Sequence, residues 1–78
     1  MNERIKAIMA KAFGVPVEQI TDKSNQDTIE NWDSLRHMHL IVFLEREFDI
    51  TIPDEIVGNL ISFKLIEATI QKCHGEST

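Results

Sequence analysis

An all-α fold is what this 78-residue chain predicts, and two observations predict it. Apolar residues recur at three- and four-residue spacings in three separate stretches, the pattern of helices that each bury one face. The chain also holds only two prolines and three glycines, which leaves room for long helices. Three main helices and a short fourth are expected. They form a single small domain, near the size at which one core is only just sufficient without staples.

The first helix is expected over residues 2 to 13: Ile5, Ile8, Met9 and Ala12 share a face, Asn2 and Glu3 start it, and Gly14 stops it. Residues 14–33 hold Pro16, several Asx, Ser and Thr residues, and only Val15, Val17, Ile20 and Ile29 as apolar anchors, so they read as a long loop. Loops beyond about 12 to 15 residues in a compact domain are commonly functional, and this one ends at Ser34. The second helix is expected over residues 34 to 48. Leu40, Ile41, Leu44 and Phe48 fall on one arc of about 100°, the width of a core-facing stripe. Leu35, Met38 and Val42 form a second arc centred about 140° away at helical spacing, and Phe43 lies on neither. That second arc either packs under the long loop or is kept for partners, and Met38 would lend such a surface adaptability.

Pro53-Asp54-Glu55 opens a short third helix, residues 53 to 58, with proline and acids in its first turn. Gly58-Asn59 ends it. Ser62 caps the fourth helix, residues 62 to 72, whose buried face is Phe63, Ile66 and Ile70. The tail from His74 to Thr78 is expected to fray.

The apolar fraction of 42% is ample for one core and excludes a disordered chain. The net charge is −5, and from Glu18 to Glu55 ten acids face three bases. Such a surface repels nucleic acid and anionic lipid, and steers toward basic patches on other proteins; an ordinary solvated surface is the plainer reading of the same charge. No apolar stretch reaches the roughly 20 residues that cross a bilayer, and the N-terminus has no signal-peptide core. A soluble, cytoplasmic protein without a membrane partner is expected. Cys73 is the only cysteine, which rules out an internal disulfide or a cysteine zinc site; it shares the stripe of Phe63, Ile66 and Ile70 and is expected to pack.

Chemistry concentrates where the loop meets the second helix, at Trp32-Asp33-Ser34-Leu35. Asp33 is a good N-cap, so Ser34 falls in the first turn, where unpaired backbone N–H groups and the positive end of the helix dipole favour a phosphate. A hydrolytic triad of Ser34, His37 and Asp33 is disfavoured, because His37 projects within the core-facing arc and Asp33 serves as a cap. So short a chain also leaves little room for a substrate pocket and oxyanion hole. No catalytic residue is therefore assigned. His37 and His39 point to opposite sides of a helix and cannot share a metal. Asp22, Ser24, Gln26 and Asp33 match a calcium loop poorly, since Asp27 replaces the turn glycine and Asp33 the bidentate glutamate. No metal site is assigned either.

The run Asp33-Ser34-Leu35, followed by Met38, Leu40 and Ile41, then Leu44-Glu45-Arg46-Glu47-Phe48-Asp49-Ile50 and Ile52-Pro53-Asp54-Glu55, closely resembles acyl carrier proteins. The resemblance spans almost the whole chain. It implies a small four-helix bundle with a long loop between the first two helices and a short third helix, in which the second helix is the main docking surface. It also implies that Ser34 carries 4′-phosphopantetheine, attached by a phosphopantetheinyl transferase with coenzyme A as donor, and that Asp33 and Leu35 help present it. The cofactor thiol would hold an acyl or aminoacyl group as a thioester. Further partners would be acyl-activating, acyltransferase or synthase enzymes, and the domain would act as a monomer.

One departure from the family pattern stands out. Carriers of fatty acid synthesis have an acidic first half of the second helix, whereas this chain reads Arg36-His37-Met38-His39, and acids return only at Glu45 and Glu47. Trp32 is also bulkier than the small residue common before the motif. A specialised carrier of fatty, polyketide or aminoacyl cargo is expected over a housekeeping one, with Leu35, Arg36, Met38, His39, Val42 and Glu45 as the docking set. The competing reading is an unmodified helical interaction module that binds a partner helix through Leu35, Met38 and Val42.

Overall fold

A computed structural model of the protein describes residues 2–76. It has four helices, α1 (Asn2–Phe13), α2 (Ser34–Phe48), α3 (Asp54–Val57) and α4 (Phe63–Glu76), with a single 3-10 turn at Val17–Gln19. α1 packs chiefly on α2 and also on α4. Ile5, Met9 and Phe13 of α1, Leu40 and Leu44 of α2, and Phe63, Ile66 and Ile70 of α4 are fully buried and form the centre of one core. Each set follows the three-and-four spacing of its helix, so the bundle is a direct consequence of the apolar pattern.

The ends of α1 and α2 are set by local chemistry. Gly14 adopts a left-handed φ of 68°, which lets its own N–H and that of Val15 donate to Ala10 O at 2.8 and 3.1 Å. Asn31 reaches back and donates from Nδ2 to Phe13 O at 3.1 Å, satisfying another carbonyl that the helix end leaves open. At the far end of α2 the left-handed position is filled by Asp49, φ 53° and ψ 52°, with no glycine to relieve it.

The long loop is pinned at both ends and in the middle. Ile20, Ile29 and Trp32 are buried. Gln26 N donates to Ile61 O and Phe63 N to Ser24 O, both at 2.9 Å, so two backbone bonds tie the loop to the entry of α4. Asn25 Oδ1 accepts from Asp27 N at 2.8 Å and Thr28 N at 3.1 Å, an Asx turn that reverses the chain between those anchors. Val17 is not an anchor: the 3-10 turn after Pro16 directs it outward, 43% exposed. Trp32 takes that role instead, its ring 4.6 Å from Phe13 and tilted by 34°.

Two helices differ from the sequence expectation in their bounds. α3 is one turn, because Pro53 is extended at φ −60° and ψ 142° and serves as its cap, while Gly58 closes the other end. Ser62 Oγ accepts from Leu65 N at 3.2 Å and so caps α4 as expected. α4 then continues past residue 72 to Glu76, because Gln71 and Lys72 favour helix and Gly75 only weakens it. Of the tail expected to fray, Ser77 and Thr78 lie outside the described residues.

Candidate functional site

Asp33 caps α2 with its own side chain. Its Oδ1 accepts from Arg36 N at 2.8 Å, and its Oδ2 lies 3.1 Å from Arg36 Nη1. The Arg36 backbone N–H is the main cause that holds the Asp33 carboxyl below the ordinary aspartate value, with the Arg36 guanidinium adding to it. The two interactions fix how the loop enters the helix. Ser34 follows as the first helical residue, and it is exposed. Its amide and that of Leu35 belong to the first turn, where no intrahelical acceptor exists.

Ser34 opens onto a shallow groove of about 300 Å³ shared with Gln26, Asp33, His37, Met38, Gly58 and Ile61. One wall is α2, and the other is the segment leaving α3. Ile61 is 41% exposed at this rim. Sequence reading marks Gly58 only as the end of the short third helix and does not mark Ile61, which lies in a connection without periodicity. Beside the groove, the second apolar arc of α2 faces solvent, with Leu35 63%, Met38 52% and Val42 40% exposed. That arc does not pack under the loop. The loop is occupied elsewhere, with Trp32 against Phe13 and Gln26 against Ile61.

His37 has the most constrained side chain of the site. An indole N–H can only donate, so Trp32 Nε1, 2.9 Å away, makes His37 Nδ1 an acceptor. The proton then sits on Nε2, which donates to Val57 O at 2.7 Å. With both nitrogens taken and the Asp33 carboxylate on Arg36, the three residues do not form a nucleophile, base and orienting acid.

The remaining expected docking residues are dispersed. Arg36 is bound to Asp33, and Glu45 turns inward, its Oε2 accepting from Ile52 N at 2.8 Å. His39 is exposed, its ring 6.2 Å from Phe43. Phe43, which fits neither arc, lies in a second groove of about 430 Å³ between α1 and α2, under the Lys11 ammonium at 5.1 Å. Arg4 and Arg46 border the same groove; Arg4 is engaged by Glu47 at 2.9 Å. Among the described residues no group of three His, Cys, Asp or Glu side chains is placed to hold a metal, and no helix is long and apolar enough to cross a membrane.

A family model described as a phosphopantetheine attachment site fits residues 3–62, from the start of α1 to the cap of α4.

Proposed function

The chain belongs to the carrier family built around a phosphopantetheine attachment site, and on that premise we propose that Ser34 is the residue modified and that α2 presents the loaded arm to partner enzymes. The carrying observation is an exposed serine in the first turn of a 15-residue helix, beside a groove with apolar Met38 and Ile61 and polar Gln26 on its walls. These residues fit the group: the first-turn amides and the helix dipole favour its phosphate, and the mixed walls suit an arm of alternating amide and methylene groups. Arg36 offsets the Asp33 charge that would otherwise repel the phosphate.

The Ser34 hydroxyl attacks the coenzyme A phosphorus that bears pantetheine. A P–O bond to Oγ forms, the pyrophosphate P–O bond breaks, adenosine bisphosphate leaves, and the hydroxyl proton passes to the transferase. Once bound, the group supplies a terminal thiol that holds an acyl or aminoacyl cargo as a thioester. The chain's own residues position Ser34 and expose Leu35, Met38, His39 and Val42 for docking; Asp33 and Arg36 shape the helix start, and Glu45 holds the turn after α2. The domain acts as a cytoplasmic monomer, catalyses nothing itself, and exchanges cargo with acyl-activating, acyltransferase or synthase enzymes. The Arg36-His37-Met38-His39 segment supports a specialised pathway over housekeeping fatty acid synthesis.

The test is direct. Incubating the apo chain with coenzyme A and a broad-specificity phosphopantetheinyl transferase should add one phosphopantetheine by intact mass, and Ser34→Ala should add none. Loading of the mutant would overturn the assignment of Ser34.

A further inference from the structure

We infer that His37 is a positioning residue for the modification of Ser34, a proposal that rests on the carrier reading above. His37 stands three residues after Ser34 and borders the same groove. Its neutral imidazole joins three segments: the loop end through Trp32, α2 through its own backbone, and the end of α3 through Val57 O. Those segments carry Ser34 and the facing rim of Gly58 and Ile61.

The tether matters because α3 is held chiefly through its flanks, the buried Ile52 and Leu60 and the Ile52 amide on Glu45, and only weakly through its own side chains. It is a single turn of four residues, none fully buried, and an isolated turn is unstable in water. Ile56 and Val57 are only partly packed on the core. Val57 O is an end carbonyl that also accepts from Leu60 N, at 3.3 Å, so the imidazole takes its second lone pair. On the other side, Trp32 is buried at 5% exposure, and the imidazole is the acceptor for its indole N–H. Removing the ring frees Val57 and the adjoining Gly58 side of the rim, while Gln26 N still holds Ile61 O, and it leaves the indole donor without its partner. The fraction of molecules with the groove correctly shaped then falls, and apparent affinity for an enzyme that reads this surface falls by the same factor.

The experiment compares the apo wild type with His37→Ala and His37→Gln, using coenzyme A and the same transferase, at a temperature where circular dichroism shows every variant folded. His37→Ala should raise KM for the carrier by about tenfold with little change in kcat, as expected when a minority of molecules is competent. Trp32 is the only tryptophan, so its single indole N–H resonance in an amide correlation spectrum reports the bond, and it should move and exchange faster in the mutant. His37→Gln can accept from the indole through its amide oxygen and donate to Val57 O, and should restore both readouts. A folded His37→Ala with a lower melting temperature but wild-type KM overturns the proposal and leaves the carrier reading standing. No loading of the wild type overturns both. Should His37→Ala fail to fold, Trp32→Phe keeps a ring against Phe13 while removing the donor, and it should raise KM by a smaller factor; an unchanged KM there also overturns the proposal.

Discussion

Asp33 places a negative charge where a backbone N–H and a guanidinium both meet it, and that makes the start of α2 sensitive to acid. Its folded-state pKa is lowered, so the stabilisation is complete above the unfolded-state pKa and is lost as pH falls through the lower folded-state value. Asparagine caps helices as well as aspartate does but carries no charge. Asp33→Asn should therefore be close to wild type in urea melts at pH of about 7 and lose less stability than wild type on acidification to about 3, below the ordinary aspartate pKa. Asp33→Ala should be less stable than both at neutral pH. If wild type and Asp33→Asn show the same acid sensitivity, the cap charge contributes nothing.

Within α2, residues two positions apart have different jobs. Leu40 and Leu44 are fully buried, whereas Met38 and Val42 face solvent. Leu44→Ala should destabilise by about 2 to 5 kcal/mol, as for buried leucines generally, while Met38→Ala should cost about 1 kcal/mol or less. Under the docking proposal Met38→Ala nevertheless slows loading. Equal destabilisation in thermal melts would mean that the second arc is packed after all. The other end of the helix carries a removable strain: Asp49 is the described non-glycine residue with positive φ, and it places an acid at the negative end of the helix dipole. Asp49→Gly should raise stability by about 0.5 to 1 kcal/mol, measured by urea denaturation, and a loss of stability would show that the Asp49 side chain is needed there.

Across the molecule the charge is uneven. The net value is −5, yet Lys11, Arg46 and the Glu47-bound Arg4 border the α1–α2 groove, and the Asp33-bound Arg36 and the exposed His39 lie in the first half of α2. A partner with a basic docking surface is attracted by the whole chain and resisted locally. Raising salt from about 0.01 M to about 0.1 M shortens the screening length from about 30 Å to about 10 Å, which removes the distant attraction before the local repulsion. Association with such an enzyme, followed by stopped flow, should slow over that range. His39→Glu should speed it at both salts, since it changes an exposed side chain without touching the core. An unchanged rate would mean that this side of α2 does not meet the enzyme.

The helices were legible in the residues themselves because their information is local. Periodic apolar positions identified the buried faces of α1, α2 and α4, Gly14 the end of α1, and Asp33 and Ser62 the caps; each depends on neighbours within one or two turns. The exposed second arc of α2 was visible as a pattern, but whether anything covered it depended on where the loop lay. Tertiary structure decided the rest, since it turns on partners distant in sequence: Gln26 meets Ile61, Asn31 meets Phe13, and His37 meets Val57. For the same reason Trp32 had no readable role until Phe13 and His37 were seen on either side of it, and Glu45 looked like a surface acid until it was found on the Ile52 amide. Hydrogen bonds of long sequence separation leave no periodic trace, so the groove beside Ser34 belongs to the folded chain alone.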